Sequence, residues 1–389
     1  MSTDWLMLVK SNDGRNHWWN ASREWGPSIA KLSMLRRSSG MLPVSVTLWW
    51  TFVSCQYELK NLIRYGIGMD LGIENEALAF AIPYVLGFIG TMYALLGIFT
   101  IIKWKQSQET IRNLWKRTLV ATPLLIVIFA AMHFGAFAWG LLVGIFAVGA
   151  HREYCTAIQL EDKGMRAVGM VVIVATVILG MDPEVTEMSV FAWAGPNAAG
   201  LLGLSLFLGA FATWAIPIIQ DRSENVTSEV GRALIGFVLI WFFIHGVYLM
   251  HLGEEVAVGA AIFAVLNVAI NDSMALVFGR IFGKNKFRPV LSPKKTWEGV
   301  FGGLLSATLV GYLAQPLLPQ FTSIETAGIA VVLAIIGTMG DLMLSALKRD
   351  LELKDWSQML PGHGGILDRV DSFILVAPAI YWMMLMLGV

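Results

Sequence analysis

The stretch TLVATPLLIVIFAAMHFGAFAWGLLVGIFAVGA, from Thr118 to Ala150, contains no Asp, Glu, Lys or Arg and decides the fold class. A helix needs about 20 apolar residues to cross the hydrocarbon core of a bilayer. The stretch is too long for one such helix, so we divide it near His133. It therefore predicts a tight hairpin of two short membrane helices.

The composition extends this prediction to the whole chain. Of its 389 residues, 56% are hydrophobic and 14% are charged, whereas soluble domains carry about 25% charged residues. The chain is therefore predicted to be an integral membrane protein. Its formal net charge of zero excludes a strongly basic nucleic-acid binder. The two cysteines, Cys55 and Cys155, lack metal-ligand spacing and support neither a zinc site nor a disulfide framework.

Apolar runs recur along the chain and predict an all-α, polytopic transmembrane bundle of about 11 helices. The predicted segments are 41–59, 77–102, 118–132, 134–150, 166–181, 199–217, 232–252, 256–279, 300–318, 327–347 and 372–388. No solenoid repeat and no inverted duplication is visible.

The basic residues give these helices an orientation. If the loops 280–298 and 348–369 lie on one side, all of the 28 Lys and Arg residues except Lys60 and Arg64 fall on that side. By the positive-inside rule that side is the cytoplasm. Residues 1–40 lack the apolar core of a signal peptide and are expected to be a retained cytoplasmic segment. We expect a multi-pass protein of the cytoplasmic membrane.

Ionisable residues concentrate in the last part of the chain. Asp341 lies in an apolar helix, and Ser345 and Lys348 follow on the same helical face. A carboxylate in a membrane is costly and is retained where it lines a cavity or binds a cation. An Asp341–Lys348 ion pair that only helps helices to pack explains these residues equally well, and both interpretations stay open at this point.

The segment SALKRDLELKDWSQMLPGHGGILDRVD follows, from Ser345 to Asp371. Glycines surround His363, and such a turn lets backbone amides approach an anion. Asp368 and Asp371 then stand at i and i+3 of the last helix, and their oxygens suit Mg²⁺. Helix capping explains either aspartate alone, but it does not explain the glycines, His363 and the Lys348–Arg349 pair.

A second polar segment, LSPKKTWEG, runs from Leu291 to Gly299. Lys294, Lys295 and the hydroxyls of Ser292 and Thr296 make a phosphate-binding set at a predicted helix start. Basic cytoplasmic loops are most often orientation signals or lipid contacts, yet the flanking Ser-Pro and Thr-Trp-Glu-Gly favour a ligand loop. Asp272 lies upstream, inside an otherwise apolar helix.

These two segments resemble the hallmarks of the phosphatidate cytidylyltransferases, also called CDP-diacylglycerol synthases. The matching positions are the Ser, Lys-Arg, Lys-Asp, Pro-Gly-His-Gly-Gly, Asp-Arg and final Asp of the first segment, and the whole of the second. The resemblance covers residues 115–389 as a catalytic domain. Residues 1–114 are predicted to be an N-terminal extension with a cytoplasmic segment and two membrane helices.

The resemblance implies transfer of CMP from CTP to phosphatidate, giving CDP-diacylglycerol and pyrophosphate, with Mg²⁺ required. A second, monovalent cation and a homodimer are left open. Asp341 and Asp368 would be the metal ligands. The catalytic set would be Asp341, Asp368, Lys348, Arg349, Asp371 and His363, and the nucleotide- and phosphate-binding set Ser292, Lys294, Lys295, Thr296, Glu298, Asp272, Ser345 and Arg369.

One departure limits the transfer of detail from the family. Its Asp-Ser/Thr motif usually continues with Gly or Ala and an aromatic residue, whereas Asp272-Ser273 is followed here by Met274-Ala275-Leu276. The lipid acceptor therefore stays open. The alternatives are a CTP-dependent enzyme or kinase acting on another membrane lipid, and a transporter, since ionisable residues within helices also mark translocation paths.

Overall fold

The computed structural model describes residues 6–10, 16–20, 77–82, 108–181, 198–359 and 364–389, with isolated helical positions between 85 and 100. The backbone forms two compact units, Met1–Leu71 and Gly72–Val389. In the first unit, strands β1 (Leu6–Lys10) and β2 (Asn16–Asn20) pair antiparallel. The predicted span 41–59 lies outside the described residues.

The second unit is built from helices. They are α1 (Gln108–His133), α2 (Ala136–Ala157), α3 (Lys163–Gly180), α4 (Ala198–Ile219), α5 (Val226–Tyr248), α6 (Glu254–Ile281), α7 (Trp297–Leu313), α8 (Ser323–Asp350), α9 (Leu367–Val370) and α10 (Phe373–Met386). Before α7, two strands that the sequence does not predict, β3 (Lys286–Arg288) and β4 (Ser292–Thr296), pair antiparallel.

Five helical segments are long and apolar enough to cross a membrane. They are Lys163–Gly180, Ala199–Ile219, Val226–His251, Val256–Ile281 and Ser323–Asp350. Large apolar side chains such as Phe207, Phe211 and Leu305 are exposed on the outer faces of the helices. Exposed apolar surface on this scale is typical of contact with lipid. The predicted all-α membrane bundle is confirmed.

The predicted helical hairpin at His133 is also confirmed. Helix α1 ends at His133 and α2 begins at Ala136, with Gly135 between them at a φ of 86°. A positive φ costs glycine little, so this residue suits the tight connection. Helix α1 begins earlier than the predicted 118, because its first turns are too polar to be recognised from apolar runs. Trp115 in these turns donates a hydrogen bond to Thr100 at 3.0 Å.

Helix α5 is the most enclosed of the spanning helices, with 78% of its apolar window buried against 28–50% for the other four. It packs against α2, α3, α4 and α10. The polar atoms of two aromatic side chains form hydrogen bonds between these helices. Tyr248 donates to the Thr176 carbonyl at 2.9 Å, and Trp139 donates to the Gly246 carbonyl at 2.6 Å. Such bonds matter because hydrocarbon offers no water to satisfy a buried donor.

Glycines bring α6, α7, α8 and α10 close together around the polar segments. A Cβ on Gly303 of α7 would lie 2.6 Å from the Asn271 carbonyl oxygen of α6. On α8, a Cβ on Gly340 would lie 2.7 Å from the Asp371 carbonyl oxygen. Small residues permit this close backbone approach between membrane helices. The polar ends of α6, α8 and α10 are thereby held beside one another.

We expect Gly303→Ala to destabilise the bundle, since the new methyl group would overlap the α6 backbone. Overpacking of this kind costs about 1–3 kcal/mol. The matched control is Gly328→Ala on α8, where a Cβ would meet nothing within 4 Å. The midpoint of thermal unfolding in detergent should be lower for Gly303→Ala than for the wild type and unchanged for Gly328→Ala. Equal midpoints would contradict the tight α6–α7 contact.

Candidate active site

Asp341 of α8 is paired with Lys295, which strand β4 delivers from the preceding loop. The Lys295 Nζ lies 2.6 Å from the Asp341 Oδ2. One turn further along α8, the buried Ser345 hydroxyl donates to the Asp341 Oδ1 at 3.4 Å. About a quarter of each charged side chain remains exposed, 23% for Lys295 and 24% for Asp341. The pair is therefore still accessible to a ligand.

Two further carboxylates stand beside this pair. Asp371, in the connection between α9 and α10, lies beside Asp341, so that the two carboxyl groups interact. Ser372 links it to α6, because its amide donates to the Asp371 Oδ1 at 2.9 Å and its hydroxyl to the Asp272 Oδ2 at 3.3 Å. The Asp272 side chain is exposed although it lies on a spanning helix. The three carboxylates thus lie close together at the meeting of α6, α8 and α10, and we call the place where they meet the carboxylate cleft.

Burial and crowding alter the acidity of this group. Burial, together with the adjacent Asp341 and Asp272 carboxylates, raises the pKa of Asp371 to about 8. Burial and a like charge nearby both disfavour the ionised form of a carboxyl group. Lys295 is paired with Asp341 of this group. Asp371 is therefore mostly protonated at neutral pH, and a bound cation would favour its ionisation.

Asp368 has different partners. Its Oδ1 accepts a hydrogen bond from the Lys348 Nζ at 2.7 Å, and its Oδ2 accepts from the amides of Trp356 at 2.9 Å and Gly365 at 3.0 Å. Asp368 and Lys348 are both buried. The alternative Asp341–Lys348 ion pair is therefore not the one formed. The two predicted metal ligands have different surroundings. Asp341 lies in the carboxylate cleft and is partly exposed. Asp368 is buried and hydrogen-bonded to Lys348 and to two backbone amides, a set of contacts that we call the Asp368 anchor.

Glu153 of α2 is a site residue that the sequence reasoning missed. Its carboxylate accepts hydrogen bonds from the Ser357 hydroxyl at 2.7 Å and from the amides of Ile366 at 2.9 Å and Leu367 at 3.0 Å. Gly365 makes room for it, because a Cβ there would lie 2.6 Å from the Glu153 Oε2. One signal was available: an acidic residue near a helix C-terminus is unfavourable without a specific partner.

These contacts correct the expected role of the glycine turn. The glycine turn around His363 is predicted to bring its backbone amides close to an anionic ligand, but the Gly365 amide donates to Asp368. The next two amides, of Ile366 and Leu367, donate to Glu153. Carboxylates of the protein itself therefore occupy these donors. His363 and the preceding Gly362 lie outside the described residues, so the predicted role of His363 stays a prediction.

The LSPKKTWEG segment forms β4 and the start of α7. Thr296 is buried and caps α7, accepting from the Gly299 amide at 3.2 Å. Glu298 accepts from the Asn285 side chain at 2.8 Å and holds the loop. Ser292 is half-buried and Lys294 is exposed. Lys295 thus joins the carboxylate cleft, whereas Thr296 and Glu298 hold the junction that carries it, and their nucleotide contacts stay predictions.

Two predicted arginines remain outside these contacts. Arg349 and Arg369 are both exposed, and Arg349 donates to the Leu353 carbonyl at 2.8 Å. They are free to meet a soluble anion, and their predicted roles are not tested by the geometry.

The sequence model of the cytidylyltransferase family matches residues 115–387. The chain belongs to this family. The matched range contains the carboxylate cleft, Lys295, the Asp368 anchor and Glu153. The predicted domain boundary at 114/115 falls within α1 and stays a prediction.

Members of the cytidylyltransferase family with curated descriptions are similar over different lengths. A phosphatidate cytidylyltransferase of Staphylococcus epidermidis is 46% identical over 118 residues, 30% of this chain and 45% of the relative. The uncharacterized protein YnbB of Escherichia coli is 33% identical over 193 residues, 48% of this chain and 65% of YnbB. A phosphatidate cytidylyltransferase of Staphylococcus aureus is 31% identical over 266 residues, 67% of this chain and 95% of the relative.

Within the described residues, no three His, Cys, Asp or Glu side chains form a complete metal site by themselves. Mg²⁺ does not require one, because it usually binds one or two carboxylates together with waters and substrate phosphates. The neighbouring carboxyl groups of Asp341 and Asp371 are a donor set of this kind. The cleft of this family member therefore fits a magnesium ion that arrives with a phosphate ligand.

We expect Glu153→Gln to weaken the hydrogen bonds that attach Ser357, Ile366 and Leu367 to α2. The amide side chain keeps one acceptor oxygen, and its NH₂ group would face backbone donors, so unfolding should become easier by about 1–3 kcal/mol. Glu161→Gln is the control, because Glu161 is exposed in the following loop. The midpoint of thermal unfolding in detergent should fall for Glu153→Gln only. An unchanged midpoint would show that Glu153 does not hold the segment.

Proposed function

We propose that this protein is a phosphatidate cytidylyltransferase, which transfers CMP from CTP to phosphatidate and releases pyrophosphate. The observation that carries the proposal is the cleft in which Lys295 meets Asp341, Asp371 and Asp272, within the range matched by the family. The curated names of the Staphylococcus relatives support the choice of phosphatidate as acceptor.

The proposed reaction exchanges one phosphoanhydride bond for another. A phosphate oxygen of phosphatidate attacks the α-phosphorus of CTP, the new P–O bond forms, and the bond to the β-phosphate breaks as pyrophosphate leaves. A phosphate monoester is already anionic near neutral pH, so no general base is needed. Such chemistry depends on positioning and charge neutralisation. Asp341 and Asp371 would hold Mg²⁺, which supplies charge neutralisation on the phosphates when bound.

The side chains around the cleft have distinct tasks in this proposal. Lys295 would exchange Asp341 for a phosphate oxygen, since its ammonium group is partly exposed. Lys294, next to it and exposed, is placed for the soluble nucleotide. Lys348 is buried against Asp368, so we assign it a positioning role: it anchors the segment that carries Asp371.

The proposal is tested with purified protein, labelled CTP and a panel of phosphorylated lipids over a Mg²⁺ titration. Phosphatidate should give a labelled CDP-lipid and an equal amount of pyrophosphate. If only another lipid gave a product, that lipid would be identified as the acceptor. A phosphorylated lipid formed without pyrophosphate would indicate a kinase. Absence of Mg²⁺-dependent product with every lipid would overturn the proposal.

The two aspartate environments should respond differently to Asp→Asn changes. Asp341→Asn should keep the fold and lower turnover by about 10²-fold or more, as expected for lost electrostatic stabilisation. Asp368→Asn removes one partner of a buried ion pair, so it should lower stability by about 3–5 kcal/mol. Exposed Asp350→Asn, at the end of the same helix as Asp341, is the control. Pyrophosphate release and thermal unfolding are measured together; normal turnover of Asp341→Asn would exclude it from the reaction.

We further propose that the cleft opens to the cytoplasm at the cell membrane, on the basis of the distribution of basic residues. With Cys55 and Cys155 replaced, Val290→Cys in the loop before α7 should react only with reagents that reach the cytoplasm. Ile324→Cys, at the start of α8 and on the opposite side of the membrane, should react only with reagents outside the cell. These positions are 80% and 78% exposed, so their reactivity is matched. Labelling of Val290→Cys from outside would reverse the orientation.

A further inference from the structure

A second polar cavity lies away from the carboxylate cleft, between the C-terminal end of α2 and the start of α3. It has a volume of about 230 Å³, is partly open, and is lined by His151, Arg152, Cys155, Thr156, Arg166 and Met170. Two guanidinium groups and an imidazole thus border one small space. No carboxylate is among its lining residues.

The charges of this cavity are not neutralised within the described part of the chain. Neither Arg152 nor Arg166 forms an ion pair there, and Arg166 donates only to the Cys155 carbonyl, at 3.2 Å. The nearby Asp162 is engaged elsewhere, by Arg222 at 3.2 Å and Gln220 at 2.9 Å. Unpaired cations at a membrane-protein cavity are unfavourable unless a ligand or water compensates them.

Unused hydrogen-bonding groups border the same space. His151 is 4% exposed, and its Nε2 contacts the Arg166 carbonyl oxygen at 3.2 Å. The His151 Nδ1 and the Arg166 Nε are buried without a hydrogen-bond partner. Buried polar atoms are nearly always satisfied, so each unsatisfied one requires an explanation. Both atoms are closed off from solvent, so the cationic groups that an anion in the cavity can meet are the guanidinium groups of Arg152 and Arg166, which line it.

We propose that this cavity binds a phosphate group, as free phosphate or as the headgroup of an anionic lipid. Arginine favours phosphate because its planar group donates two parallel hydrogen bonds. A phosphate has enough oxygens for both arginines. The site is separate from the proposed catalytic cleft and does not depend on its reaction.

The test compares two phosphate sources on the purified full-length protein. Inorganic phosphate is titrated in detergent against chloride of equal ionic strength. In parallel, the protein is placed in nanodiscs of phosphatidylcholine alone or mixed with phosphatidylglycerol. Binding to the folded state raises the unfolding midpoint in a concentration-dependent way. A rise with inorganic phosphate identifies a site open to free phosphate, and a rise with phosphatidylglycerol alone identifies a headgroup site.

Matched variants show whether the stabilisation by phosphate comes from binding in this cavity. Arg152→Gln and Arg166→Gln should each weaken phosphate binding by about tenfold or more, as expected for a lost charge-assisted hydrogen bond. Lys163→Gln removes the same charge from an exposed position on the first turn of α3 that does not line the cavity, so it should weaken binding much less than the loss of either arginine. Arg152 is exposed, so Arg152→Gln remains informative if Arg166→Gln does not fold.

Two results would overturn the proposal. One is the absence of stabilisation by either phosphate source. The other is an equal response of wild type, Arg152→Gln and Lys163→Gln, since binding at the carboxylate cleft would not distinguish these variants. Because catalysis is not measured, a failure here leaves the proposed cytidylyl transfer untouched.

Discussion

A charged group placed among apolar helices must find a partner there, since hydrocarbon cannot solvate it. In this bundle the partners come from distant parts of the chain. Lys295 on a strand before α7 meets Asp341 on α8, and Glu153 on α2 holds the backbone at Ile366. The contact of Glu153 with the Ile366 amide therefore joins α2 to the segment before α10, and the Lys295–Asp341 pair joins the loop before α7 to α8.

The acidic groups fall into two electrostatic classes. Glu153 and Asp368 are saturated: each accepts three hydrogen bonds from donors of the chain. In the carboxylate cleft, Asp341 is paired with Lys295, and the pKa of the neighbouring Asp371 is raised to about 8 by burial and by the adjacent carboxylates. A saturated carboxylate stabilises the fold, whereas an under-neutralised cluster attracts a cation. The same residue type thus serves positioning in one place and ligand binding in another.

The sequence was sufficient for the helices and the motifs, because both depend on local information. Length and hydrophobicity identify membrane spans, and the break at His133 follows from the limit that bilayer thickness sets on one helix. The partners of the charged side chains, in contrast, do not follow from local sequence. Spacing puts Asp341 and Lys348 on one helical face, yet Lys348 pairs with Asp368, brought in by a segment whose path the spacing does not encode. Glu153 escaped notice because its partners are more than two hundred residues away.

The closeness of the reactive carboxylates depends on backbone packing more than on side-chain rotamers. Gly340 immediately precedes Asp341 and lies against the carbonyl oxygen of Asp371. Any side chain at position 340 would push α8 away from the start of α10, and it would separate the Asp341 and Asp371 carboxyl groups as well. A site built in this way is preorganised by its scaffold, which is what positioning of polyanionic substrates requires. It also explains why the small residue stands beside the charged one: the helix contact and the carboxylate pair are made by adjacent residues of one chain segment.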